Sequence, residues 1–248
     1  MTPDPLAGLP AVAPGSVPWL SVESMREVDR LMVDELGIVL MQMMENAGRN
    51  LAVAARAMLG GDVRGARVAV LCGPGGNGGG GLVAARHLAV AGAELDVHLA
   101  TGLSGLAPVP RHQADALAAA GVPLGEGATR RLGGADLVVD ALLGYSLRGA
   151  PRGPAAELIG AAQWLPTLAL DVPSGLELAT GTLHEPSVRA DVTMTLALPK
   201  EGLRSSGGRE AVGRLLLADI SVPGAVYRRM GLDVDTPFGH GPLVRLEP

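Results

Sequence analysis

The sequence predicts one α/β domain, a mostly parallel β-sheet buried between layers of helices. Three observations carry this. From Arg67 onward, short continuous apolar runs alternate with helical stretches, the pattern of parallel strands covered on both faces. Several of these runs end in turns rich in Gly, Asp or Ser, where open α/β sheets place their ligands. The chain has 248 residues, 48% of them hydrophobic, enough for one full core. No internal repeat or linker divides it.

Taken in order, residues 1–18 are Pro-rich and expected to be a flexible arm ahead of a domain spanning 19–232. A helix is expected over 21–36. Ser21 and Ser24 offer caps, Met25, Val28, Leu31, Met32 and Leu36 recur at helical spacing, and Gly37 stops it. A second helix, 39–59, carries Met41, Met44, Leu51 and Ala54 and ends at Gly60-Gly61. Its methionines read as gap-fillers of the core. Strands follow at 68–72, 95–99, 137–143, 167–172, 192–198 and 215–220, with helices at 81–90, 111–120 and 154–163. Residues 233–248 read as a loop-like tail.

Composition removes several function classes. Twenty Lys and Arg against 25 Asp and Glu give a net charge of −5, so there is no basic footprint for nucleic acid. Two Trp, two Tyr and one Phe are too few for base-stacking platforms. The single cysteine, Cys72, rules out an intrachain disulfide framework and reads as a small core hydrophobe. The N-terminus lacks the pattern of a secretory signal, and no apolar run is long enough to span a bilayer. A cytoplasmic protein with no membrane partner is the expectation. Every basic residue but Lys200 is arginine, which reads as compositional bias.

The densest chemical signal is Gly73-Pro74-Gly75-Gly76-Asn77-Gly78-Gly79-Gly80-Gly81, between an expected strand and an expected helix. Glycines bring bare N–H groups close to a ligand, and a helix N-terminus favours an anion. A P-loop would need a Gly-Lys-Ser/Thr ending, which is absent. A dinucleotide-binding dehydrogenase needs an acid at the end of the second strand, whereas Asp96 falls inside 95–99. Two further strand ends carry carboxylates. Asp140 is followed by the polar stretch Gly144-Tyr145-Ser146-Leu147-Arg148-Gly149-Ala150, and Asp171 is followed by Ser174. Carboxylates beside apolar strands suit acid–base work.

Motifs in a fixed order resemble the YjeF N-terminal domain family, the NAD(P)H-hydrate epimerases. They are Met25-Arg26-Glu27-Val28-Asp29, Met44-Glu45-Asn46-Ala47-Gly48, the glycine tract with Ala84-Ala85-Arg86-His87-Leu88, Val139-Asp140-Ala141, Asp171-Val172-Pro173-Ser174-Gly175 and Leu198-Pro199-Lys200-Glu201-Gly202-Leu203. The resemblance implies a three-layer αβα Rossmann-like sandwich that interconverts the R and S epimers of hydrated NADH and NADPH (NADHX and NADPHX) without a fused dehydratase domain. A separate dehydratase would then act on one epimer. By the same resemblance Asn77, Asp140 and Ser174 match K⁺-site positions. Gly76, Asn77, Gly78, Gly79, Gly80, residues 144–150 and Asp171 match substrate-binding positions. Asp171 is the expected acid–base residue, with Asp140 tied to the cation.

Departures from the family pattern accompany the match. Where the family's loop runs Asn-Asn-Gly-Gly-Asp-Gly, Gly76 replaces the first Asn and Gly80 the Asp, and Arg148 stands where Lys is common. A catalytically weakened nucleotide-binding or scaffolding module of the same fold is therefore the alternative. The apolar excess of the first helix also points to a homodimer.

Overall fold

The computed structural model describes residues 4–127 and 132–246. In chain order the strands are β1 (Ala11–Val12), β2 (Arg67–Cys72), β3 (Glu94–Leu99), β4 (Leu124–Glu126), β5 (Leu137–Ala141), β6 (Thr167–Leu170), β7 (Leu176–Glu177), β8 (Thr182–Leu183), β9 (Val192–Leu196), β10 (Arg214–Ala218) and β11 (Leu243–Leu246). The helices are α1 (Val22–Arg30), α2 (Leu40–Met58), α3 (Gly76–Val90), α4 (Pro108–Ala119), α5 (Gly153–Ala162), α6 (Ser206–Ala211) and α7 (Gly224–Arg229).

Among the described residues nine strands form one sheet in the order β1-β11-β10-β9-β6-β5-β2-β3-β4, while β7 and β8 pair separately. Every pairing in the large sheet is parallel except that of β10 with β11. The period of two along each strand splits the core. Val68, Val70 and Cys72 pack with Leu51, Leu82, Leu88 and Leu117 of α2, α3 and α4. Ala69 and Leu71 join Leu158, Ile159 and Ala162 of α5. At the β10–β11 end, α1, the turn after it and α7 contribute Met25, Val28, Met32 and Val226 to a cluster with Leu217 and Val244. The predicted α/β class is what the chain adopts, and the six central strands fall where the apolar runs placed them.

The chain leaves β2 toward β3 and β4, then crosses back to place β5 on the other side of β2. The sequential order therefore reverses between β2 and β5, and a crevice opens there beyond the strands' carboxyl ends. Four strands, β5, β6, β9 and β10, stop two residues short of their expected ends, β6 and β9 because Asp171 (φ 65°) and Ala197 (φ 64°) turn the backbone into the left-handed region.

Three expectations are corrected. The helix after the glycine tract starts at Gly76, not at residue 81. Glycine has poor intrinsic helix propensity, but packing imposes the helix. A Cβ on Gly78 would sit 1.9 Å from the Gly73 carbonyl oxygen, so only glycine lets this turn close against the end of β2. The first helix ends regularly at Arg30 and widens into a π-helical turn over Leu31–Glu35. The described residues of the arm and tail belong to the fold. Leu6 is fully buried, β1 pairs with β11 (Ala11 opposite Arg245), and β11 pairs with β10 (Leu217 opposite Val244). Strands this short, bounded by prolines, carry too few residues for a period to be read from sequence.

Because Leu6 is part of the main core, Leu6→Ala should cost about 2–4 kcal/mol, read as a lower urea midpoint with an unchanged slope. A detached arm would leave the midpoint where it was.

Candidate active site

A cavity of about 510 Å³ occupies the crevice, walled by Gly76, Asn77 and Gly80 of α3, by 142–147 after β5, by Leu170 and Asp171 at the end of β6, and by Asp29 and Lys200. Met25, Met43 and Met44 form its apolar side, so these methionines fill core and also shape the site. A larger hollow of about 1020 Å³ beside Trp19 and Arg214 has no carboxylate in its wall among the described residues. Acid–base chemistry therefore points to the crevice.

The floor is the first turn of α3. Its leading N–H groups have no partner within the helix and carry the positive end of the helix dipole, a natural seat for an anion. The two glycine departures from the family's loop both face this space. A side chain at Gly76 would meet nothing within 4 Å, and one at Gly80 would meet only Leu170 Cδ2, at 2.8 Å. Gly78 and Gly79, expected as binding positions, pack instead against Gly73 and Met44.

Asp171 is buried, and Lys200 Nζ donates to its Oδ1 at 2.5 Å. Thr195 Oγ1 (3.2 Å) and the Leu196 N–H (3.3 Å) donate to the same oxygen. Lys200 also donates to Thr195 Oγ1 (3.1 Å) and the Leu196 carbonyl (2.7 Å). Its side chain is only 1% exposed. The chain's sole lysine is thus the cation among the residues lining the cavity. Arginine's planar fork could not enter this three-acceptor niche in the same way. The informative signal was a lysine kept in a chain that otherwise uses arginine.

Asp140 is fully buried and accepts from Ser174 Oγ (2.7 Å), the Ser174 N–H (2.8 Å) and the Leu142 N–H (3.2 Å). Burial pushes its carboxyl up to about 6, against the hydrogen bonds from Ser174 and Leu142. Ser174 Oγ in turn accepts from the Leu143 N–H at 3.0 Å. The pair clasps the ends of β5 and β6 together beneath the cavity and is not part of its wall. Asn77 is in the wall, and its amide nitrogen is buried without a hydrogen-bond partner.

The segment after β5 is fastened at two further points. The Tyr145 hydroxyl donates to Asp29 Oδ2 at 2.6 Å, and the Gly149 N–H donates to Glu177 Oε2 at 3.0 Å, with His184 Nε2 2.8 Å from that oxygen. Gly144, Tyr145, Ser146 and Leu147 line the cavity, whereas Arg148, Gly149 and Ala150 stand outside its wall. Asp29 had no assigned role in the sequence reading, because its helix is remote from the other motifs along the chain.

The family model for the YjeF-related protein N-terminus matches residues 40–202. The chain belongs to this YjeF family. An NAD(P)H-hydrate epimerase of Dehalogenimonas lykanthroporepellens is 47% identical over 92% of both chains, and one of Rhodopirellula baltica is 33% identical over 87% of this chain and 89% of its own. A bifunctional NAD(P)H-hydrate repair enzyme of Hyperthermus butylicus is 41% identical over 76% of this chain, which matches only 36% of that longer protein. The crystal structure of yeast ynu0 (YNL200c) covers 93% of this chain and all of its own with a TM-score of 0.75 at 23% identity, so the two share a fold. Among the described residues no helix is long and apolar enough to cross a membrane.

Removing one partner of a buried ion pair leaves an uncompensated charge. Lys200→Met should therefore cost about 3–5 kcal/mol by chemical denaturation, and adding Asp171→Asn should recover much of the loss. Additive losses would show that the two side chains are energetically independent.

Proposed function

We propose that this chain is an NAD(P)H-hydrate epimerase, an isomerase that interconverts the R and S forms of hydrated NADH and NADPH. The observation that carries the reading is the near-full-length likeness to the Dehalogenimonas lykanthroporepellens epimerase. The cavity supplies parts suited to that chemistry. The N-terminus of α3 suits the substrate's diphosphate, and the methionine side suits an apolar ring face.

Epimerisation at C6 needs the hydroxyl to leave one face and water to return on the other. The ring nitrogen's lone pair expels the protonated hydroxyl as water, giving a cationic ring that a second water attacks. Asp171 is the proposed acid–base group. It takes the proton of the attacking water, and its negative charge faces the developing cation. Lys200, Thr195 and the Leu196 N–H all hold Oδ1, which fixes the carboxylate's orientation. Gly80 does not empty the cavity of carboxyl groups, since Asp29 and Asp171 both line it, and this favours the enzyme over a weakened binding module.

The proposed K⁺ ligands are Asn77, Asp140 and Ser174. All three offer oxygen to a hard cation, and the unpartnered Asn77 amide suits a ligand role once its oxygen is turned inward. A bound K⁺ would neutralise the buried Asp140 carboxylate and join α3 to the β5 and β6 ends. A dehydratase acting on one epimer is the proposed functional partner, and a homodimer using the half-exposed Val33, Val39 and Leu40 is the proposed assembly.

Purified R-epimer should be converted to S well above the spontaneous rate when followed by chromatography, and Asp171→Asn should lower kcat by about 10²-fold or more. A wild-type rate equal to the spontaneous one would sink the reading. For the cation, K⁺ should raise Tm more than Na⁺ or Li⁺ at matched ionic strength, by about 5–10 °C if present at a hundredfold excess over its Kd. Asp140→Asn should remove that difference. Equal melting in all three salts would leave the three residues as turn and capping groups.

A further inference from the structure

Two motifs far apart in sequence, 25–29 and 198–203, converge on the cavity. Leu20 pairs in parallel with Lys200. The Leu20 N–H donates to the Pro199 carbonyl at 2.8 Å, and the Glu201 N–H donates to the Leu20 carbonyl at 2.9 Å. Helix α1 starts two residues later, capped by Ser21 Oγ accepting from the Ser24 N–H. It carries Asp29 to the cavity wall just before the π-helical turn, a distortion that often marks functional sites. There the Tyr145 hydroxyl occupies Asp29 Oδ2.

We propose that Asp29, anchored through Oδ2 by Tyr145, is the second acid–base residue of the site and protonates the departing C6 hydroxyl. This rests on the epimerase reading and completes it, because inversion needs a proton donor for the leaving group as well as an acceptor for the entering water. The carboxylic acid of Asp29 gives its proton to the hydroxyl. The C6–O bond breaks, its electron pair leaves with water, and the nitrogen lone pair forms the C6–N double bond. A water oxygen then bonds to C6, the double-bond pair returns to nitrogen, and Asp171 accepts the proton. In the opposite direction the two carboxyls exchange roles, and cavity water returns the proton between them.

The two environments suit this division. Burial raises the Asp29 carboxyl above its ordinary range. The Tyr145 hydroxyl and then Lys200 oppose that rise, and the nearby Asp171 charge adds to it. Arg26 is the further charged group that acts on the Tyr145 side of the pair. Asp171 is the carboxyl in direct contact with the lysine. Paired carboxyls in contrasting surroundings are a recurrent way to divide acid from base.

The competing role for Asp29 is to pin the segment after β5 to α1. Asp29→Asn separates the two, since an amide oxygen still accepts from Tyr145 but the side chain transfers no proton. The expected result is a kcat loss of about 10²-fold or more, with KM within about threefold and Tm near wild type. Tyr145→Phe keeps the acid and removes a bond that favours its ionised form, so the alkaline limb of kcat should move to higher pH. An active wild type with an Asp29→Asn variant equally active, or a Tyr145→Phe profile that does not move, overturns the assignment alone. A wild type that does not accelerate epimerisation overturns the epimerase reading and this assignment with it.

Discussion

The ammonium of Lys200 lies buried against the Asp171 carboxylate, the Thr195 hydroxyl and the Leu196 carbonyl, and much of the site's geometry follows from keeping it there. Asp171 holds a left-handed backbone conformation, uncommon for a residue with a side chain, and its Oδ1 receives three donors. Thr195 and Leu196 belong to β9, so the pair joins the ends of two adjacent strands. Lys200 lies on the segment that pairs with Leu20, and this pairing sets where α1 begins. A buried ion pair seldom stabilises more than well-packed apolar residues would. Its value here is positional, since it fixes one arrangement of β6, β9 and α1.

A second clasp works without a cation from the protein. Asp140 and Ser174 close the β5 and β6 ends on each other, and Ser174 also takes the Leu143 N–H. The glycine tract completes the crevice on the β2 side. Gly73 and Gly78 are required by backbone oxygens less than 2 Å from where a Cβ would stand, while Gly76 and Gly80 border the cavity. The tract therefore has two parts, one dictated by packing and one by the ligand space, which run together in a string of identical letters.

Much of the fold was legible because its central strands are continuous apolar runs punctuated by turns, and burial on both faces permits little else. The strand-end carboxylates Asp140 and Asp171 were legible for the same reason. Gly76 to Gly80 were misplaced because local propensity opposes a helix that tertiary packing enforces. Lys200 was overlooked because composition explained its rarity and nothing local marked it as buried. Asp29 drew no role because the contact that gives it one, with Tyr145, spans 116 positions. Edge strands of two to four residues were too short for any period to appear.

Those short edges have a consequence for how the protein behaves in a crowded solution. A long bare strand at the margin of a sheet is a template on which another chain can add itself. Here one margin is β4, three residues long, and the other is β1, two residues long and flanked by Pro10 and Pro14. Residues 4–12 and 243–246 thus bracket the parallel sheet on its far side, with Arg245 donating to the Leu9 carbonyl at 3.2 Å. Among the described residues the outermost strands of the sheet are only two and three residues long, which gives fibre-like growth from the native state a short template.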